Sequence, residues 1–115
     1  MLNKNYGFTF MWHNVIKDTD LKDGSIKGIT IDGKPLLIIK KDNHVYALDL
    51  YCTHENTSLD EGFIENCSIV CPNHFASFDI KSGRVTAGPE GSDEKIKDLG
   101  FYQTKIEDGI IMVDF

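Results

Sequence analysis

Two short motifs, sixteen residues apart, carry the side chains of this sequence that are best suited to bind a metal. Cys52-Thr53-His54 and Cys71-Pro72-Asn73-His74 each offer one thiolate and one imidazole. Two thiolates and two imidazoles can hold a 2Fe-2S cluster in which one iron takes both sulfurs and the other takes both nitrogens. Because each motif mixes the two ligand types, each would contact both irons. The spacing therefore predicts two loops that hold a cluster from opposite sides.

The same four side chains could instead bind zinc. Two thiolates and two imidazoles complete a tetrahedral structural zinc site. Zinc fingers usually pair like ligands at each motif, whereas each motif here mixes them. The mixed pattern favours two irons, and a zinc-stapled interaction module is the alternative that the sequence leaves open.

The remaining cysteine and histidines do not indicate a second metal site. Cys67 is the one cysteine of the three that lies outside the motifs, and it has no disulfide partner once the motif cysteines bind metal. It is therefore expected to be a small buried side chain in a protein of a reducing compartment. A mononuclear oxygen-activating iron needs two histidines and a carboxylate. Only His13 and His44 are left for it, and both are expected to be ordinary strand or surface residues.

Composition predicts one domain over residues 1–115. A chain of 115 residues, 41% of them hydrophobic, buries roughly two thirds of its unfolded surface.

The net charge of −6 argues against nucleic acids and anionic membranes as partners and favours basic ones. Met1 to Phe10 has no apolar segment of secretory length and no window resembles a membrane span. A cytoplasmic location is therefore expected.

Runs of Ile, Leu and Val between turns predict an all-β fold. Turn pairs such as Asp32-Gly33 and Asp42-Asn43 separate the first runs, because these residues tolerate left-handed backbone conformations. The strands are predicted at 25–30, 36–40, 45–50, 101–106 and 110–115. The intervening residues are predicted to form a small cluster-binding lobe over about 51–89 and a surface loop over 90–100.

The sequence resembles the Rieske-type ferredoxins in the two ligand motifs and in three further segments. These segments are Phe78-Asp79, Ser82-Gly83-x-Val85 and Gly88-Pro89. The resemblance runs nearly end to end. It implies stacked antiparallel sheets, one 2Fe-2S cluster at the tip of the small lobe, and a third loop with Pro89 that covers the cluster. It also implies that the histidines bind through Nδ1 and leave Nε2 toward the surface.

Within that family, the sequence is similar to the small ferredoxins that serve Rieske non-haem iron oxygenases and hydroxylases. This resemblance implies an electron carrier that is not itself an enzyme. It would pass single electrons from a reductase to an oxygenase or another redox acceptor, and it is expected to be a monomer. A small Rieske subunit of a larger oxidoreductase is the alternative.

Two departures from the respiratory-complex branch of the family bear on the cluster. That branch has a disulfide between its cluster loops, and Thr57 and Asn73 stand at those positions here. It also has a serine and a tyrosine that donate to sulfur, and these are Ala76 and Phe78 here. Because such donors stabilise the reduced cluster, we expect a potential toward the low end of the range of about −150 to +300 mV for Rieske centres.

Apolar residues near the motifs are expected to form a lid that limits the access of water to the cluster. Each of these residues could equally be an ordinary core residue. The candidates are Leu59, Phe63, Phe75, Phe78 and Pro89.

Overall fold

The computed structural model describes residues 11–115. The prediction that Met1 to Phe10 holds no secretory signal lies outside these residues. Within them, the all-β prediction is confirmed, because the helical segments are two single 3-10 turns, Asp18–Asp20 and Leu59–Glu61. None of the described helices is long and apolar enough to cross a membrane.

The described residues form eleven strands in three antiparallel sheets. In chain order they are β1 (Trp12–Lys17), β2 (Ile26–Ile31), β3 (Lys34–Lys41), β4 (His44–Asp49), β5 (Phe63–Glu65), β6 (Ser68–Val70), β7 (Ser77–Asp79), β8 (Val85–Ala87), β9 (Phe101–Tyr102), β10 (Thr104–Glu107) and β11 (Ile110–Asp114). The strand orders are β1-β11-β10, β2-β3-β4-β9 and β5-β6-β7-β8. The third sheet is the small lobe that carries the second ligand motif.

The predicted strand 101–106 is divided between two sheets. β9 pairs with β4, whereas β10 pairs with β11. The phenol of Tyr102 donates to Asp49 at the end of β4 (2.5 Å), and the carbonyl of Gln103 accepts from the amide of Asp114 (3.0 Å). The chain therefore changes sheets at Gln103, which a run of β-forming residues does not reveal.

The first strand, β1, is not predicted from the sequence because its residue pattern is irregular. β1 pairs with β11, and its register shifts between Asn14 and Ile16. Such a bulge interrupts the alternation of apolar and polar residues from which a strand is predicted. The pairing with β11 thus comes from tertiary structure rather than from the local pattern.

The central strand β3 supplies both hydrophobic cores. Its residues 36–39 are fully buried, and successive side chains of a strand point to opposite faces. Leu36 and Ile38 pack with Ile111 and Val113 of β11. Leu37 and Ile39 pack in the second core, which contains both motif cysteines. The ligand loops therefore stand on a layer that is closed on its far side by the first sheet.

The lobe sheet also has two distinct faces. Cross-strand neighbours Ile64, Ile69, Phe78 and Val85 pack in or against the core that contains the motif cysteines. The next row consists of Phe63, Val70, Ser77 and Ala87 and lines a surface groove of about 360 Å³. One face of the lobe supports the ligand loops and the other is open to solvent.

Substitutions of Gly83 and Gly91 test whether the lobe packs closely against the loop that follows it. Both have a positive φ, +79° and +78°, but a Cβ on Gly83 would lie 2.3 Å from the carbonyl oxygen of Leu99 and one on Gly91 would meet nothing within 4 Å. We predict that Gly91→Ala lowers the free energy of unfolding by about 1–2 kcal/mol through backbone strain. Gly83→Ala should cost roughly 1–3 kcal/mol more through overpacking. Chemical denaturation measures both, and equal losses would contradict the close approach at Gly83.

Candidate metal centre

The two ligand loops have the same backbone closure. The amide of Cys52 donates to the carbonyl of Thr57 (2.9 Å), and the amide of Cys71 donates to the carbonyl of Ala76 (2.8 Å). In each loop the cysteine is therefore bonded to the residue five positions later. This closure places each cysteine at the base of its loop.

Both motif cysteines lie in the core, at 3% exposure for Cys52 and 1% for Cys71. Their thiols contact each other, and the backbone amides of Asn73 and His74 point at the sulfur of Cys71. Burial raises the pKa of the Cys71 thiol, and the two amides oppose that effect. A metal is bound by thiolate rather than thiol, so binding here must release a proton.

The two motif histidines lie at the outer side of the site. Their ring centroids are 5.4 Å apart with an interplanar angle of 73°. The carboxylate of Glu55 contacts Nδ1 of His74 and lies 3.6 Å from Nδ1 of His54. One Glu55 oxygen thus occupies the point on which both Nδ1 atoms converge. A metal bound by both nitrogens would displace it.

The donor set fits a 2Fe-2S cluster. Both sulfurs are buried, two backbone amides point at that of Cys71, and the two imidazole Nδ1 atoms converge on one point. This separation matches a cluster with two thiolates on one iron and two imidazoles on the other. The structure brings the sulfurs of Cys52 and Cys71 into contact and places the rings of His54 and His74 5.4 Å apart. That these four residues bind one cluster stays a prediction.

A hydrogen bond joins the two ligand loops. Nδ2 of Asn73 donates to Oγ1 of Thr57 (2.6 Å). These are the two positions at which the resemblance places a disulfide in the respiratory branch. The loops are therefore joined, but not covalently.

The loop that follows β8 is fastened to both ligand loops. Thr53 of the first loop donates through Oγ1 to the carbonyl of Lys97 (2.6 Å). The amide of Glu90 donates to the carbonyl of His74 in the second loop (2.7 Å). Pro89 in this third loop is buried. All three loops therefore form one connected unit around the site.

The five expected lid residues differ in their exposure. Leu59, Phe78 and Pro89 are buried, whereas Phe63 and Phe75 are each 44% exposed. Phe63 belongs to the outer row of the lobe sheet. Phe75 follows a ligand histidine with φ at +62°, a conformation that is rare for a bulky residue. Phe63 and Phe75 are therefore not core residues, and their role in limiting the access of water stays a prediction.

The other candidate residues lie away from the site. Cys67 is exposed in the tight turn between β5 and β6, so the prediction that it is buried is wrong. The turn starts at Asn66, whose φ is +56°, and a tight hairpin places its turn residues at the surface. His13 lies in β1 with its ring stacked on Phe115 (3.7 Å), and His44 begins β4, as expected.

Two carboxylates at the site are absent from the predictions. Glu55 directly follows the first ligand histidine, and this adjacency is a signal that could have identified it. Glu94 lies 3.5 Å from Nε2 of His54 through its Oε1. It belongs to the third loop, and no sequence spacing connects it with a histidine forty residues earlier.

Thr57→Val tests the bond between the ligand loops. Valine keeps the shape of threonine but removes the acceptor of the Asn73 amide. We predict a loss of about 0.5–1.5 kcal/mol in the free energy of unfolding, together with faster bleaching of the bound cluster in the presence of a chelator. Thr30→Val is the matched control, because Thr30 is an exposed threonine of β2. Equal bleaching rates for the two variants would show that the bond does not hold the loops.

Comparisons with known proteins agree with this geometry. The ferredoxin component of the naphthalene 1,2-dioxygenase system of Pseudomonas putida is 30% identical over 106 residues, which are 92% of this chain and 97% of that protein. The solved structure of the Sphingomonas yanoikuyae B1 ferredoxin has a TM-score of 0.79 and 28% identity, over 90% of this chain and 97% of that one. A chain in a complex of reduced oxygenase and oxidized ferredoxin in carbazole 1,9a-dioxygenase has a TM-score of 0.77 and 27% identity, over 90% of this chain and 92% of its own.

The match to a protein family covers most of the described residues. The description of that family is Rieske [2Fe-2S] domain, and it matches residues 11–100. This match, together with the paired thiols and imidazoles, favours the iron–sulfur cluster over zinc. The chain belongs to the Rieske [2Fe-2S] domain family and takes one 2Fe-2S cluster.

Proposed function

We propose that Cys52 and Cys71 hold the inner iron of the cluster and that His54 and His74 hold the outer one. The separation of buried sulfurs from outer nitrogens is the observation that carries this assignment. When bound, the cluster supplies one-electron chemistry at a potential set by its ligands and surroundings. The core residues exclude water from the sulfur side, and the backbone amides of the second loop donate to sulfur.

We propose that the chain is an electron carrier between a reductase and a Rieske non-haem iron oxygenase or hydroxylase. The naphthalene 1,2-dioxygenase relative is a ferredoxin component, and the carbazole 1,9a-dioxygenase structure contains an oxygenase with its ferredoxin. His74, whose side chain is 55% exposed, offers a ring edge from which an electron can leave. Its position at the surface supports transfer to a docked protein.

The remaining features of the proposal concern the whole chain. We propose one domain over residues 1–115 with a cluster-binding lobe over about 51–89, acting as a monomer in the cytoplasm. Cys67 is exposed and forms no disulfide within residues 11–115, which suits a reducing compartment. A Rieske subunit of a larger oxidoreductase is the second candidate. The separate ferredoxin component of the Pseudomonas system, matched over 97% of its length, favours the carrier.

The environment of the sulfurs supports a low potential. Ala76 and Phe78 are fully buried and carry no hydroxyl group. The hydroxyl of Ser77, between them, is bonded to that of Thr86 (2.7 Å). Ser77 also lines the groove on the outer face of the lobe sheet, so none of these three side chains offers a hydroxyl donor on the face that packs against the motif cysteines. Fewer donors leave the reduced cluster less stabilised.

Matched substitutions test the ligand set. We predict that Cys71→Ser and His74→Gln abolish the visible spectrum of the cluster, whereas Cys67→Ser and His44→Gln retain it. Cys67 and His44 are exposed residues of the same types and control for the loss of any cysteine or histidine. Iron and sulfide analysis should give about two of each per chain in the controls. A control variant that lost the cluster, or a ligand variant with an unchanged spectrum, would refute the assignment.

A voltammetric measurement followed by mixing tests the carrier function. The holo chain should give a reversible one-electron wave with a midpoint in the lower half of about −150 to +300 mV. Stopped-flow mixing of the reduced chain with the oxidised terminal oxygenase of the Pseudomonas putida naphthalene system should reoxidise the chain. A midpoint in the upper half would overturn the potential argument. A reversible wave without any transfer to the oxygenase would overturn the acceptor but leave the carrier.

A further inference from the structure

The two outer imidazoles have different surroundings at Nε2, the ring nitrogen that faces away from Glu55. Nε2 of His54 lies 3.5 Å from Oε1 of Glu94. Within residues 11–115, Nε2 of His74 has no carboxylate at ion-pair distance. The His54 side chain is 16% exposed, whereas that of His74 is 55% exposed. One ring is therefore covered by a carboxylate and the other is open.

Hydrogen bonds before and after Glu94 in the sequence fix the position of its loop. Its amide donates to Oγ of Ser92 (3.0 Å), and Lys97, three residues later, accepts from Thr53 of the first ligand loop (2.6 Å). Further along, the amide of Leu99 donates to the carbonyl of Gly83 (2.8 Å). The third loop thus presents Glu94 beside the histidine of the loop to which it is bonded.

Of the two carboxylates that face His54, only Glu94 is compatible with a metal at Nδ1. Glu55 lies at the Nδ1 side, where both imidazoles converge, and a bound iron would displace it. Glu94 lies at Nε2, on the opposite side of the ring. A metal-bound imidazole that donates its other N–H to a carboxylate is fixed in orientation and becomes a stronger donor to the metal.

We propose that Glu94 accepts a hydrogen bond from Nε2 of His54 in the cluster-loaded protein, lowers the potential of the cluster and leaves His74 as the ring open to redox partners. Glu94 is a positioning residue, because it acts through His54. Its charge favours the oxidised cluster, which is the less negative state. This inference rests on the proposed ligand set and goes beyond it by making the two imidazoles unequal.

Two carboxylates of the same loop provide a matched comparison. Glu94→Gln and Asp93→Asn each remove one charge, but Asp93 forms an ion pair with neither imidazole. We expect Glu94→Gln to raise the midpoint potential more than Asp93→Asn does at 0.1 M NaCl. The excess should persist at 1 M NaCl, where the screening length falls from about 10 Å to about 3 Å, since a hydrogen bond is a contact rather than a long-range field.

Pulsed EPR of the reduced cluster gives a second readout. We expect Glu94→Gln to change the coupling of one histidine nitrogen and leave the other unchanged, and Asp93→Asn to change neither. Glu94→Ala, which adds no amide, should shift the potential in the same direction as Glu94→Gln. Equal potential shifts for Glu94→Gln and Asp93→Asn, or a Glu94→Gln excess that disappears in 1 M salt, would overturn the proposal. A wild-type spectrum without two nitrogen ligands would instead refute the ligand set itself.

Discussion

The site depends on keeping two thiols buried while one imidazole at its outer side, that of His74, reaches solvent. Sulfur carries negative charge once metal is bound, and that charge needs amide donors rather than water. The imidazoles need the opposite environment, because an electron leaves through a ring that another protein can approach. Each ligand loop meets both demands in the same way, with the cysteine bonded across the base of the loop and the histidine beyond it. The rest of the chain supports this gradient from core to surface.

The layers beneath the site explain why so small a chain can supply a rigid base. The strand β3 is buried on both faces, so the sheet of β2, β3, β4 and β9 is itself packed on the sheet of β1, β10 and β11. The lobe sheet closes the same core from the other side through its inner row. The third loop then joins the two ligand loops, by a side-chain hydrogen bond from the first and a backbone hydrogen bond to the second. Rigidity at the site therefore comes from layers on both sides and a bonded loop across it.

The sequence predicted the ligand motifs and most strands because both depend on local information. A mixed pair of ligands at a short spacing, or an Asp-Gly turn between apolar runs, can be read within a few residues. Features set by tertiary structure were missed: the change of sheets at Gln103, the bulge in β1 and the exposure of Cys67. Glu94 is the clearest case, because its contact with His54 exists only once the third loop has folded over the first.

The bond between Asn73 and Thr57 joins the two ligand loops through an amide and a hydroxyl, neither of which accepts an electron. A disulfide between the same loops could be reduced by thiols, and its formation would need an oxidising environment. A hydrogen bond between an amide and a hydroxyl is not reduced by thiols and needs no oxidising environment to form. The lobe can therefore fold in a reducing environment. Electrons carried by the cluster cannot break the hydrogen bond that joins its two ligand loops.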